Sequence, residues 1–162
     1  MGEIRQITVN KMIPVIEELL EEGMRIRITV TGSSMYPFLR DKKDSVELYR
    51  SSYDQLKRGD IVLIRRDNGE YVLHRIVKKD RKYFYMNGDA QQWWEGPIKP
   101  KQVIAKVTKV WRKDRSILCS SFLWRLASIL WMLLIPFRDL IFKSYYHLRR
   151  LSSAVHTGRK YT

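Results

Sequence analysis

A single cysteine, Cys119, stands among the 162 residues. No intrachain disulfide can form, and a zinc cluster built on cysteine thiolates is excluded. Histidine is scarce as well. His74, His147 and His156 leave little material for a histidine-rich metal site, and no metal or other cofactor is expected. Acidic side chains are in the minority: 17 Asp and Glu face 31 Lys and Arg, a formal net charge of +14. Such an excess calls for an anionic partner, either nucleic acid or an anionic membrane surface. Charge alone does not choose between them. Met1 to Gly23 has no apolar core of the kind a signal peptide needs. It carries Glu3, Arg5, Lys11, Glu17, Glu18, Glu21 and Glu22 instead, so no signal peptide is expected there. Internal repeats and low-complexity segments are absent.

What is present reads as one β-rich domain with a helical entry. Asn10 to Glu22 has an apolar stripe of Ile13, Ile16, Leu19 and Leu20, with Asn10 placed to cap and Gly23 to stop the helix. The period then changes to two. Arg25 to Thr31 alternates polar and apolar residues, as on a half-buried strand. Strand-like runs follow at 45–49, 61–66, 71–78, 82–86 and 103–110, with a hairpin signal at Asp67-Asn68-Gly69-Glu70 and a turn at Gly88-Asp89. Short strands at close spacing argue for a mainly β fold, a barrel or a coiled sheet. The expected organisation is a helix over 1–23, a catalytic-size domain over 24–115, an apolar or amphipathic segment over 116–150 and a basic tail over 151–162.

Four segments carry candidate chemistry. Thr31 to Leu39 follows a strand, and Gly32 permits a tight turn while Pro37 stiffens its exit. Ser34 on such a rigid corner is placed as a nucleophile must be. An ordinary serine-rich turn would read the same way in isolation. Lys57 to Leu63 contains Gly59-Asp60. Tyr71 to Val77 carries His74 among apolar neighbours, where an isolated histidine would be a structural one. Tyr85 to Ala90 contains Gly88-Asp89, followed by Gln91 to Glu95.

In this order the four segments resemble the boxes of the signal peptidase I family, which shares its catalytic fold with the self-cleaving SOS repressors. Ser34-Met35-x-Pro37 resembles the nucleophile box, Gly59-Asp60-Ile61-Val62 the next, His74-Arg75-Ile76 the general-base box and Gly88-Asp89-Ala90 the last. The likeness runs from about Arg25 to Val110. It implies a coiled β-sheet peptidase domain in which Ser34 is the nucleophile and His74 its base. Histidine in place of the more common lysine is similar to the endoplasmic-reticulum branch. A lysine base must lose roughly 3 pKa units to be neutral at pH 7, whereas histidine titrates near 6.5 already. A carboxylate is expected to orient His74, either Asp89 or Glu95, with Glu95 preferred. Gly32 stands where many signal peptidases have a serine, so the oxyanion hole is expected to rest on backbone N–H groups, including that of Ser34, with Ser33 a further candidate. Met35 and Pro37 flank the nucleophile and are assigned to substrate binding. The implied partner is a peptide or preprotein cut at a signal or leader sequence.

After Arg115 the chain turns apolar and aromatic. Leu126 to Phe137 is free of charge but short for a membrane span. An in-plane helix over about 118–150 on an anionic leaflet is expected, with Ser121, Arg125 and Ser128 on its polar side and Trp124, Leu130, Trp131, Leu134 and Phe137 on its apolar side. Truncation after Arg115 is expected to leave a soluble domain with some activity. The alternative reading is a non-catalytic or DNA-associated relative of the SOS repressors, supported by charge and by Gly32-Ser33-Ser34-Met35. Against it, the N-terminal segment has room for one helix and not a helix-turn-helix, so nucleic acid is not the expected partner. A third reading is a basic membrane-bound scaffold with an idle serine.

Overall fold

The computed structural model describes residues 9–145 and residue 147. The basic tail over 151–162 lies outside the described residues. Helix α1 (Val9–Glu21) is followed by one antiparallel sheet of eight strands: β1 (Ile26–Thr29), β2 (Asp44–Tyr49), β3 (Ile61–Arg65), β4 (Tyr71–Lys79), β5 (Phe84–Asn87), β6 (Glu95–Ile98), β7 (Val103–Arg112) and β8 (Arg115–Leu118). Helix α2 (Phe122–Leu133) closes the order, with a 3₁₀ turn at Ile135–Phe137 and further helical residues at 138–145. The fold is mainly β, as its alternating segments predict.

The sheet runs in the order β1-β2-β7-β3-β4-β5-β6, and β8 pairs β7. β3 is central and its apolar run Ile61-Val62-Leu63-Ile64 does not alternate, because both faces are covered. Ile61 and Leu63 enter a core with Ile13, Ile16 and Leu20 of α1 and with Val30, Met35 and Leu39. Val62 and Ile64 enter a second core with Leu56, Ile76, Phe84, Met86 and Ile98. Ladder irregularities at Glu47/Leu48, Leu63/Ile64 and Ile76/Lys78 bend the sheet. The 67–70 turn closes as a hairpin, the Gly69 N–H donating to the Arg66 carbonyl and the Arg66 N–H to the Glu70 carbonyl.

Two strands escape the sequence pattern. β6 is four residues containing Gly96 and Pro97, too broken to show a period. β8 carries the sheet past Arg115, the expected domain edge, with Val110 opposite Ile117 and Trp111 opposite Ser116. The segment beyond is not one long helix. α2 ends at Leu133, ahead of Pro136, and the chain turns there.

The two tryptophans expected on the membrane side of α2 face the domain. Trp124 stands edge-on to Phe38 at 5.2 Å between ring centroids, and Trp131 lies 6.3 Å from Phe38. Ser128, expected on the polar side, is buried and bonded to Arg75. Trp124, Ser128 and Trp131 fall at helical spacing on one stripe, and that stripe is the packed one. Leu130, Leu134 and Phe137 do lie exposed.

Candidate active site

Ser34 leaves the sheet on the turn after β1. Gly32 there takes φ +88°, a conformation that favours glycine, and its N–H donates to Asp41 Oδ1 at 2.8 Å. Met35 and Leu39 anchor the turn from below, both buried in the first core. The Ser34 carbonyl accepts the Ala90 N–H at 2.8 Å, which ties the Ser34 turn to the loop after β5. Among the described residues the Ser34 N–H has no acceptor, so it is available to a developing oxyanion.

His74 sits in β4 opposite Val62 of β3. Ser34 and His74 line one cavity of about 270 Å³, with Gly32, Met35, Arg66 and Gln91 also on its wall. Ser33 and Pro37 do not line it. Ser33 is exposed, and its carbonyl accepts the Tyr36 N–H. Met35 therefore serves both the core and the cavity floor, while Pro37 lies away from that wall.

The two carboxylates separate cleanly. Glu95 opens β6, paired with Met86 of β5. Met86 pairs on its other side with Ile76 of β4, and His74 lies two residues from Ile76 on the same face. Glu95 Oε2 lies 3.4 Å from His74 Nδ1. That is ion-pair distance, not a hydrogen bond, and Nδ1 is buried without one. Asp89 instead forms a fully buried pair with Arg75, accepting from Nε at 2.8 Å and from Nη2 at 2.6 Å. Alternation along β4 sends His74 and Arg75 to opposite faces. The last box thus supplies one carboxylate to each side of the sheet.

Three arginines to which the sequence reading gave no role complete the arrangement. Arg66, at the end of the β3 hairpin arm, grips Glu95 with Nε and, at 2.7 Å, with Nη2, and reaches Glu70 with Nη1 at 2.9 Å. Arg75 donates through Nη1 to the Gly59 carbonyl and to Ser128 Oγ, and its guanidinium lies 4.5 Å from the centre of the Phe38 ring. Arg138 is buried, bonded to Asn87 Oδ1 and to the carbonyls of Gly88 and Gln91. Burial lowers Arg138 to about 10, so it stays charged at neutral pH. Trp131 Nε1 donates to the Asp89 carbonyl at 2.9 Å. The helical segment after Arg115 therefore holds the 87–91 loop, and that loop holds Ser34. Arg75 stands in the general-base box without a role read for it, while for Arg66 and Arg138 the signal was a basic residue beside an apolar run, and charge on this chain is too common to make that stand out.

Electrostatics set the protonation states. Burial pushes His74 below its ordinary 6.5; Glu95 pulls back and Arg66 adds to the depression. Burial pushes Glu95 up, but the Arg66 hydrogen bonds outweigh it and hold the carboxyl below its usual range. At neutral pH the site holds a neutral imidazole behind a fixed anion, a state able to accept a serine proton. Cys119 stays a thiol at neutral pH, because burial pushes it up to about 12. Among the described residues no cluster of His, Cys, Asp and Glu could hold a metal ion.

Residues 1–108 match the family described as Peptidase S24-like. No curated protein matches the chain.

Proposed function

The chain belongs to the Peptidase S24-like family, a family of serine peptidases, and on that premise we propose that it is a serine endopeptidase acting through Ser34, His74 and Glu95. The observation that carries the reading is the shared cavity of Ser34 and His74, with an anionic Glu95 behind the imidazole. His74, through the nitrogen turned away from Glu95, takes the Ser34 proton as Oγ adds to the scissile carbonyl carbon. The oxyanion is met by the Ser34 N–H. Collapse breaks the C–N bond, and the imidazolium returns the proton to the leaving amine. Water then enters with His74 again as base, and the acyl group leaves as a carboxylic acid.

The finer reading is a peptidase of the signal peptidase type, cutting signal or leader peptides. Its support is the ordered set of Ser34-Met35-x-Pro37, Gly59-Asp60, His74-Arg75 and Gly88-Asp89, and the histidine at the base position. An alternative within the same family is a self-cleaving or DNA-associated protein, favoured by the net charge of +14.

A fluorophosphonate probe tests the nucleophile. Labelling should map to Ser34 and disappear in Ser34→Ala and His74→Ala, with Ser33→Ala still labelled. Labelling of Ser33 in place of Ser34, or no labelling of a folded wild type, would sink the proposal. Cleavage of leader-peptide substrates added in trans separates the processing reading from self-cleavage, whose rate is independent of protein concentration.

A further inference from the structure

The packed stripe of α2 leaves the opposite face bare. Phe122 and Leu123 are each 76% exposed, and Ile129, Leu130, Leu133 and Phe137 continue the same surface at half exposure or more. An apolar face this continuous is unusual on a chain that is otherwise rich in surface charge, and such patches mark an interaction site. The face is not a folding remnant. Trp124, Ser128, Trp131 and Met132 fasten the helix to the domain from the other side.

Charge decides what covers it. Beside the first turn of α2 a cavity of about 300 Å³ is lined by Arg25, Lys106, Lys109 and Arg125, with Leu118 at its edge. Among the described residues Glu47 and Asp60 answer them: Glu47 pairs with Arg25 and Lys109, and Asp60 with Lys106. Positive charge is left in excess along the border of the apolar face. A second copy would bring another net charge of +14 against it, which like-charge repulsion opposes, whereas an anionic surface is attracted. The depth is also limited. A twelve-residue helix is about 18 Å long, well short of a hydrocarbon core of roughly 30 Å, and among the described residues no helix is long and apolar enough to cross a membrane.

We infer that the outward face of α2, with Phe137 in the turn that follows, docks in the plane of an anionic lipid bilayer. The apolar side chains enter the acyl boundary while Arg25, Lys106, Lys109 and Arg125 meet the headgroups. The inference goes beyond the peptidase reading and does not depend on it.

The test is flotation of the full chain with phosphatidylglycerol–phosphatidylcholine vesicles, at low and at high salt. A Leu123→Gln/Leu130→Gln/Leu133→Gln variant keeps the net charge and removes apolar contact. Wild type and Ser34→Ala should float alike, and high salt should weaken them only partly. The triple variant should lose at least about a hundred-fold in partitioning at high salt, with unchanged circular dichroism. Should the triple variant not fold, the single variants Leu123→Gln and Phe137→Gln should each lose up to about tenfold. No flotation of the wild type, or equal high-salt flotation of folded variants, overturns the inference. So does a wild type that sediments as a dimer and becomes monomeric in the variant with flotation unchanged.

Discussion

Arg66 grips both oxygens of Glu95, the carboxylate that faces His74 Nδ1 at 3.4 Å. Glu95 is therefore shared between the arginine that holds it and the histidine it is proposed to orient. Arg66 fixes Glu95 as an anion, yet its own positive charge also opposes protonation of His74.

Replacing Arg66 by leucine should consequently move the acid limb of the pH–rate profile upward. Loss of the nearby cation raises His74, and Glu95 is freed to approach Nδ1. The shift should be on the order of one unit, and Arg66→Lys should restore part of it. A limb that stays in place while turnover falls would make Arg66 a merely structural partner.

In the wild type the acid limb of kcat/KM should lie below 6.5, since burial lowers His74 from that value. The sign for stability follows the same direction. Both His74 and Glu95 have depressed values in the fold, so the unfolded chain binds more protons below their ordinary ranges. Their contributions are present at neutral pH and are lost as pH falls through the depressed values. Urea midpoints measured from pH 7 downward should decline, with Glu95→Gln declining less steeply. An acid limb well above 6.5 would contradict the burial of His74.

The two acidic residues of the last box should separate by phenotype. Glu95→Gln should lower turnover by roughly 10²–10⁴-fold while the fold persists. Asp89→Asn leaves Arg75 buried without its anion, and breaking such a pair costs about 3–5 kcal/mol. Thermal melting and turnover measured on both variants check this. If Asp89→Asn melted like the wild type and lost only activity, the orienting role would belong to Asp89.

Gly88→Ala should impair Ser34 from a distance. A Cβ there would come within 2.7 Å of the Ser34 carbonyl oxygen and of Gln91 Oε1. The glutamine side chain can move, but the backbone carbonyl cannot without displacing the Ser34 turn. Turnover should fall by at least about tenfold with KM for a short peptide less affected, in keeping with a misplaced reacting group. Unchanged turnover would show that the turn tolerates the shift.

Truncation after Arg115 should not leave an active domain, contrary to the sequence expectation. It removes Ser128 from Arg75, Trp131 from the Asp89 carbonyl and Arg138 from the 87–91 loop, and it strips β8 from β7. Trp131→Ala should reproduce part of the effect, at about 2–4 kcal/mol for a half-buried tryptophan. A truncated chain with native melting and activity would refute the bracing role of α2.

Local pattern by itself determined most of the sheet and the candidate pair. Alternation in Ile26 to Thr29 and in Val103 to Arg112, the apolar run at Ile61 and the turn at Asn68-Gly69 are short-range signals, because side-chain direction and turn geometry depend on neighbouring residues. The boxes around Ser34 and His74 were likewise readable as ordered motifs. Only the tertiary structure decided which carboxylate meets which base. Asp89 and Glu95 stand six residues apart, and their fates diverge because the 87–94 loop folds back on Asn87, whose side chain bonds the Gln91 and Trp93 carbonyls. The same holds for α2. Its stripe of Ser121, Arg125 and Ser128 reads locally as the outward side of an amphipathic helix, yet the fold buries Ser128 and turns apolar residues out. Arg75 and Phe38, distant in sequence, select the inward face by offering a buried hydrogen bond to Ser128 and a ring to Trp124. Contacts of that kind depend on where the sheet puts its partners, which no local period encodes.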